Sequence, residues 1–240
     1  MNIAIIFAGG TGTRMNTKTK PKQFLELHGK AILVHTIEHF QRHKQIDGIV
    51  LVCVSDWIDY AMELLEIYHL TKVVAVVPGG SSGQKSIRNG LEKARELYSE
   101  EDTIVLIHDG VRPLIDEDTI TNAITCVHEH GSAVVVSPAL ETIAVQDDSG
   151  GIGQIIDRSL CQLAKAPQCF YLGEILRAHR QAQEEGRGDF IDSASLMRFY
   201  GHELHTVEGP VENIKITTPL DFYLFRAISD ARENSQIFGL

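Results

Sequence analysis

Cysteine is scarce in this chain. Only four occur in 240 residues, Cys53, Cys126, Cys161 and Cys169, and no two stand as C-x-x-C. That spacing excludes a zinc ribbon and gives no disulfide framework. Cys53 and Cys126 fall inside apolar stretches and read as small core residues. Long apolar runs are missing too: none nears the ~18 residues of a membrane span, so no membrane partner is expected. No signal-peptide pattern precedes the first apolar run, and the cytoplasm is the expected compartment. Basic residues are outnumbered, 22 Lys and Arg against 32 Asp and Glu, for a formal charge of −10. A nucleic-acid backbone needs a basic face, so nucleic acid is not an expected partner. Repeats and low-complexity segments are absent as well.

What is present is a core. Apolar residues make up 43% of the chain, enough for one large domain spanning residues 1–240. Strand and helix patterns alternate. Strands are expected at 3–8, 48–54, 72–77, 103–107, 133–137 and 169–172, with two more near 203–208 and 213–217. Helices are expected at 33–43, 57–68, 85–98, 116–130, 173–185, 192–200 and 219–234, with Asp116 as an N-cap. Repeated strand–helix units mean an α/β fold, a mainly parallel sheet covered by helices on both faces. The rhythm breaks after Pro138. Residues 140–164 form an excursion with two short strands and an Asp147-Asp148-Ser149-Gly150-Gly151 turn, a β-arm.

The densest signal lies near the start. The apolar run of residues 3–8 leads into Gly9-Gly10-Thr11-Gly12-Thr13-Arg14-Met15, and Lys20-Pro21-Lys22-Gln23-Phe24 follows. A glycine loop lets backbone N–H groups approach phosphate oxygens, and Arg14 and Lys22 add cations at the same mouth. The loop is not a Walker loop, because no Gly-Lys-Ser/Thr closes it. It is not the dinucleotide fingerprint either, because Met15 holds the third glycine position. Ligands of such sheets sit at the carboxyl ends of strands. Residues 9–14, 79–83 and 108–113 all follow expected strands, so three loops should meet at one edge.

Four segments in order, Ala8-Gly9-Gly10-Thr11-Gly12-Thr13-Arg14-Met15 with Pro21-Lys22-Gln23-Phe24, His108-Asp109-Gly110-Val111-Arg112-Pro113, Ala166-Pro167-Gln168, and Asn213-Ile214-Lys215-Ile216-Thr217, carry a resemblance across nearly the whole chain. It resembles the nucleotidyltransferases that activate sugar-alcohol phosphates, above all the cytidylyltransferases acting on ribitol 5-phosphate or on 2-C-methylerythritol 4-phosphate. The resemblance implies a Rossmann-like nucleotidyltransferase fold, CTP as donor, Mg²⁺ as cofactor and a homodimer. It implies catalytic roles for Arg14, Lys22 and Lys215. Ala8, Gly9, Gly10, Thr11, Gly12, Gly80, Ser81, Ser86 and Asp109 would bind the nucleotide, Asp109 also holding the metal. Arg112, Thr142, Arg158 and Asp192 would bind the acceptor, with the 140–164 arm carrying Thr142 and Arg158 into the partner's site. A phosphate monoester is already largely dianionic, so no strong base is needed.

Plainer readings stand beside these. Ser86 could be a helix cap, Asp109 a turn residue, and Arg158 a surface partner of Asp157. His35, His39 and His43 form a stripe that reads better as an exposed helix face than as a metal site. Two positions depart from the family pattern. Ala166 and Ile191 stand where threonines usually line the acceptor pocket, which makes that pocket more apolar. The ribitol branch is the leading expectation, and the methylerythritol branch of isoprenoid biosynthesis is second. A catalytically silent nucleotide-binding protein or a nicotinamide oxidoreductase would be of another class.

Overall fold

The computed structural model describes residues 1–9, 20–98 and 102–238, with side chains as far as Asn234. The first half runs β1 (Asn2–Ala8), β2 (Glu26–Leu27), β3 (Lys30–Ala31), α1 (Ile32–Arg42), β4 (Gly48–Cys53), α2 (Ile58–Ile67), β5 (Val73–Pro78), α3 (Gly83–Leu97) and β6 (Ile104–Asp109). The second half runs α4 (Glu117–His130), β7 (Ser132–Pro138), β8 (Ile143–Gln146), β9 (Ile152–Ile156), β10 (Gln162–Tyr171), α5 (Leu172–Glu184), α6 (Ser193–Phe199), β11 (Thr206–Glu208) and α7 (Pro219–Phe238). Among the described residues the main sheet has the order β11-β7-β10-β6-β1-β4-β5.

The period of two along β1 explains the layers. Ala4, Ile6 and Ala8 belong to one buried cluster with Leu33, Ile37 and Phe40 of α1 and with Ile120, Ile124 and Val127 of α4. Ile3 and Ile5 belong to the other, with Ile87, Leu91 and Ala94 of α3 and Ile175 and Leu176 of α5. A central parallel strand buried on both faces has no reason to alternate apolar with polar, and β4 is likewise buried along its length. Asp116 caps α4 as expected, its Oδ1 accepting the Thr119 N–H at 2.8 Å. Gly90 lets α3 press on the sheet: a Cβ there would lie 2.7 Å from methyls of both Ile5 and Val52.

Four sequence expectations are corrected. Strand β10 is ten residues long and runs antiparallel to both β6 and β7. No helical crossover separates β7 from β10, and a parallel neighbour would require one. Because Gln162 already pairs with Pro138, the arm ends earlier than residue 164. Residues 213–217 do not form a strand. Side chains take the segment's first carbonyl: Arg112 Nη1 donates to Asn213 O at 2.8 Å, and Lys165 Nζ reaches the same oxygen at 3.4 Å. Finally, the His35-His39-His43 stripe is not an exposed face. His43 is buried and bonds Thr121 Oγ1, while the half-buried His35 and His39 reach the carbonyls of Leu27 and Pro113. Burial lowers the pKa of all three.

Candidate active site

The carboxyl ends of β1, β4, β5 and β6 bring distant loops together. The 3₁₀ turn Lys22–Phe24 is pinned to the end of β1, because Gln23 Nε2 donates to Ala8 O at 2.7 Å. Phe24 beneath it is fully buried and stacks on Trp57 at 5.1 Å. Lys22 is thereby held at the mouth that follows β1. Gly10, Thr11, Gly12 and Arg14 lie outside the described residues.

Gly9, Gly79 and Gly80 converge on Ser86. A Cβ on Gly9 would stand 3.0 Å from Ser86 Oγ, one on Gly79 3.3 Å from the Cα of Gly9, and one on Gly80 2.5 Å from the Cβ of Lys85. No side chain fits at these positions, so the cleft wall is main chain. Ser86 is not the cap of α3; Ser82 is, accepting from the Lys85 N–H. The Ser86 hydroxyl instead donates to Ser82 O at 2.9 Å and accepts the Gly80 N–H at 3.0 Å. It clamps the Gly79–Gly80 loop beside Gly9, leaving a main-chain surface there. Ser81 is exposed beside it, accepting from Lys85 Nζ.

Asp109 closes β6 opposite Phe7 of β1. It is no mere turn residue. Its Oδ2 takes Arg112 Nε at 2.7 Å and its Oδ1 takes Lys215 Nζ at 2.5 Å. Burial pushes the carboxyl upward, but the charges of Lys215 and Arg112 outweigh that and leave its pKa below the usual value. The 210–215 segment is anchored around this pair. Lys165 Nζ donates to Val211 O at 2.6 Å, and Asn213 Nδ2 donates to Ala166 O at 2.8 Å. Asp109 lies between two cations, Arg112 and Lys215. Its remaining lone pairs suit one ligand position on a hydrated Mg²⁺ that phosphates also hold, since such ions use only one or two carboxylates.

The cluster opens on a cavity of about 300 Å³. Phe7, Ile87, Ala164 and Phe190 supply apolar wall. Ala166 lies on the wall and Ile191, 96% exposed, at the rim, so both departures from the family pattern face the cavity. Asp192 also reaches it, with both oxygens engaged: Oδ1 caps α6 through the Ser195 N–H, and Oδ2 accepts from Gln168 Nε2, each at 2.8 Å. Its place here is to hold α6 against β10. Gln168, unassigned from the sequence, locks that joint by also accepting the Ala194 N–H. The Ala-Pro-Gln motif was the available signal. Lys165, Gln84, His179 and Ser193 also line the cavity, and no local pattern marked them.

Thr142 and Arg158 are not brought to this cavity within one chain. Thr142 is exposed at the foot of the arm. Arg158 does not pair with Asp157, whose carboxylate takes the N–H and hydroxyl of Ser159; it donates to Leu140 O at 2.8 Å.

Behind the site, His108 is wholly buried, its Nε2 against Arg112 O at 3.1 Å. Burial pulls its pKa down to about 3. The unfolded chain takes a proton there near ~6.5, whereas the folded chain does not. Stability held above that pH is therefore lost as pH falls toward 3. Urea unfolding at pH 7 and pH 5 should show wild type losing about 2 kcal/mol more than His108→Gln, at ~1.4 kcal/mol per pH unit for one proton. Equal losses would remove His108 as the cause.

The family model described as IspD: 2-C-methyl-D-erythritol 4-phosphate cytidylyltransferase matches residues 2–230. A ribitol-5-phosphate cytidylyltransferase of Streptococcus agalactiae serotype III is 58% identical over 240 residues, covering 100% of both chains. A 2-C-methyl-D-erythritol 4-phosphate cytidylyltransferase of Clostridium acetobutylicum is 39% identical over 224 residues, 93% of this chain and 95% of that one. The crystal structure of 4-diphosphocytidyl-2C-methyl-D-erythritol synthase from Anaerococcus prevotii superposes with a TM-score of 0.81 at 26% identity, covering 95% of this chain and 96% of that chain. With a main-chain surface, a buried Asp109 between two cations and a match along nearly its whole length, the chain belongs to the 2-C-methyl-D-erythritol 4-phosphate cytidylyltransferase family of nucleotidyltransferases.

Proposed function

We propose that this enzyme transfers CMP from CTP to D-ribitol 5-phosphate, giving CDP-ribitol and pyrophosphate. The observation that carries the chemistry is Lys215 held on buried Asp109 at the edge of a cavity whose neighbouring surface is main chain. The acceptor rests on the 58% identity to a ribitol-5-phosphate cytidylyltransferase over the full length.

An acceptor phosphate oxygen attacks the α-phosphorus of CTP, and the bond to the β-phosphate oxygen breaks, releasing pyrophosphate. The dianionic acceptor brings its own nucleophile, so the protein's work is positioning and charge neutralisation. Lys215 serves the α-phosphate; Asp109 fixes its ammonium, and Arg112 ties both to the 213–215 backbone. Lys22, Arg14 and the N–H groups of residues 9–12 serve the β- and γ-phosphates. The main-chain surface of Gly79 and Gly80, with Ser86 behind it, takes the pyrimidine. Asp109 would hold a Mg²⁺ ion, which would supply positive charge against the triphosphate.

The arm gives the reading its dimer. Ile152, Ile155 and Leu160 are 70%, 64% and 82% exposed, and a two-stranded hairpin is marginal alone. Large apolar side chains left exposed on such an arm suit an interface. A second copy of the chain would cover them and receive Arg158 and Thr142. Among the described residues no helix is long and apolar enough to cross a membrane.

Incubation with CTP, Mg²⁺ and a panel of polyol phosphates, followed by mass analysis, tests the assignment. CDP-ribitol should dominate, CTP should outperform ATP and GTP, and EDTA should stop turnover. The Clostridium relative makes 2-C-methylerythritol 4-phosphate the acceptor to run beside ribitol 5-phosphate. Equal rates with ATP, or full activity in EDTA, would remove the cytidylyl reading.

A further inference from the structure

Lys165 is a lysine inside the protein. It is 9% exposed and stands where the pairing of β10 with β7 shifts register, between Ala164 and Gln168. Among the described residues its ammonium meets carbonyl oxygens and no carboxylate. Burial and then the Arg112 charge lower its pKa, against a smaller opposite pull from Glu212. Burying a charge without a close counter-charge is costly, and an apolar side chain of similar size would fill the space without that cost. Stability alone therefore gives no reason for a lysine here.

What the ammonium does is gather the main chain that leads to Lys215. Nζ donates to Val211 O at 2.6 Å and reaches Pro210 O and Asn213 O, each at 3.4 Å. The ends of this stretch are fixed to the sheet side: Gly209 N–H donates to Val136 O and Ile216 N–H to Val111 O, both at 2.9 Å. Between them no residue of 210–215 lies in a strand or helix. Asn213 Nδ2 donates to Ala166 O, so adjacent residues of β10 grip the turn twice. Asp109 holds Lys215 only by the tip of its side chain. An ammonium that also meets a phosphate divides its hydrogens between two anions, and the carboxylate alone no longer fixes its place. The main chain two residues earlier then matters.

We infer that Lys165 is a positioning residue for the transfer step: its buried ammonium sets the 210–213 turn and, through that turn, the place of Lys215 at the phosphate being transferred. The inference rests on the cytidylyltransferase reading above, in which Lys215 serves the α-phosphate. Lys165 also lines the Asp109 cavity, so direct contact with a substrate is the rival role that the test has to separate.

The test is a double-mutant cycle. Pyrophosphate release is followed with CTP and ribitol 5-phosphate for wild type, Lys165→Met, Lys215→Ala and the double variant. Methionine keeps the apolar stem and removes the charge. Lys165→Met should lower kcat about tenfold and leave KM for both substrates within about threefold, since a misplaced group costs rate more than binding. In the Lys215→Ala background the same substitution should cost less than about twofold, because the residue it positions is gone. A direct substrate contact, or a merely structural role, would subtract the same factor in both backgrounds. Lys165→Gln keeps an N–H donor for the carbonyls and should recover part of the lost kcat. It repeats the cycle if Lys165→Met fails to fold. Equal losses in the two backgrounds, a KM rise for one substrate larger than the fall in kcat, or unchanged turnover would overturn this inference alone. No pyrophosphate from wild type with CTP and any polyol phosphate would overturn the cytidylyltransferase reading and the inference with it.

Discussion

Lys215→Ala should lower kcat by roughly 10²–10³, the scale for losing one preorganised charge at the transition state. The structural reason is the 2.5 Å pair with Asp109, which holds the ammonium in place before substrate arrives. The variant should fold, because the Lys215 side chain is 39% exposed and the segment is anchored by Lys165, Arg112 and Asn213 instead. KM for both substrates should change much less than kcat, since the charge being stabilised develops during transfer. Lys215→Arg keeps a positive charge, but its planar fork cannot reproduce a point contact and should recover little. Near-normal turnover of Lys215→Ala would refute the assignment. Lys22→Ala should lose a comparable factor, because Gln23 and Phe24 hold its backbone at the mouth after β1.

Arg158→Ala should raise KM for the polyol phosphate by about 10²-fold, the cost of losing a charge-assisted bond to a phosphate, and leave KM for CTP nearly unchanged. Among the described residues this guanidinium donates to a carbonyl of its own arm and does not line the Asp109 cavity. A large acceptor-specific effect therefore requires the arm to reach a second copy. Subunit mixing makes the point directly. Arg158→Ala chains combined with Lys22→Ala chains should regain activity, because a heterodimer holds one site with both residues intact. A monomer at working concentration, or no rescue where subunits demonstrably exchange, would defeat the shared site.

The sequence by itself determined what depends on near neighbours. The continuous apolar run of β1, the helical spacing of Leu33, Ile37 and Phe40, and the Asp116 cap are local patterns, and each stands where local rules put it. The carboxyl-end rule likewise placed Gly9, Gly79 and Asp109 at one edge, because strand order does not alter which end of a parallel strand a loop follows. Four motifs in order carried the family.

Tertiary structure alone decided the rest, wherever a residue's partner lies far along the chain. Residues 213–217 have strand composition, yet Arg112 and Lys165 take the Asn213 carbonyl and the segment joins no ladder. The histidine stripe of α1 has the spacing of a surface face, but Pro113 and Thr121, more than seventy residues away, cover it. Ser86 reads as a cap until Gly80 folds back onto its hydroxyl. His179 is one histidine in a polar helix, and only the meeting of α3, α5 and α6 makes it a cavity wall. Pattern records which face an element buries. It does not record what that face meets, because that depends on contacts whose loop-closure entropy is repaid only when the whole sheet assembles.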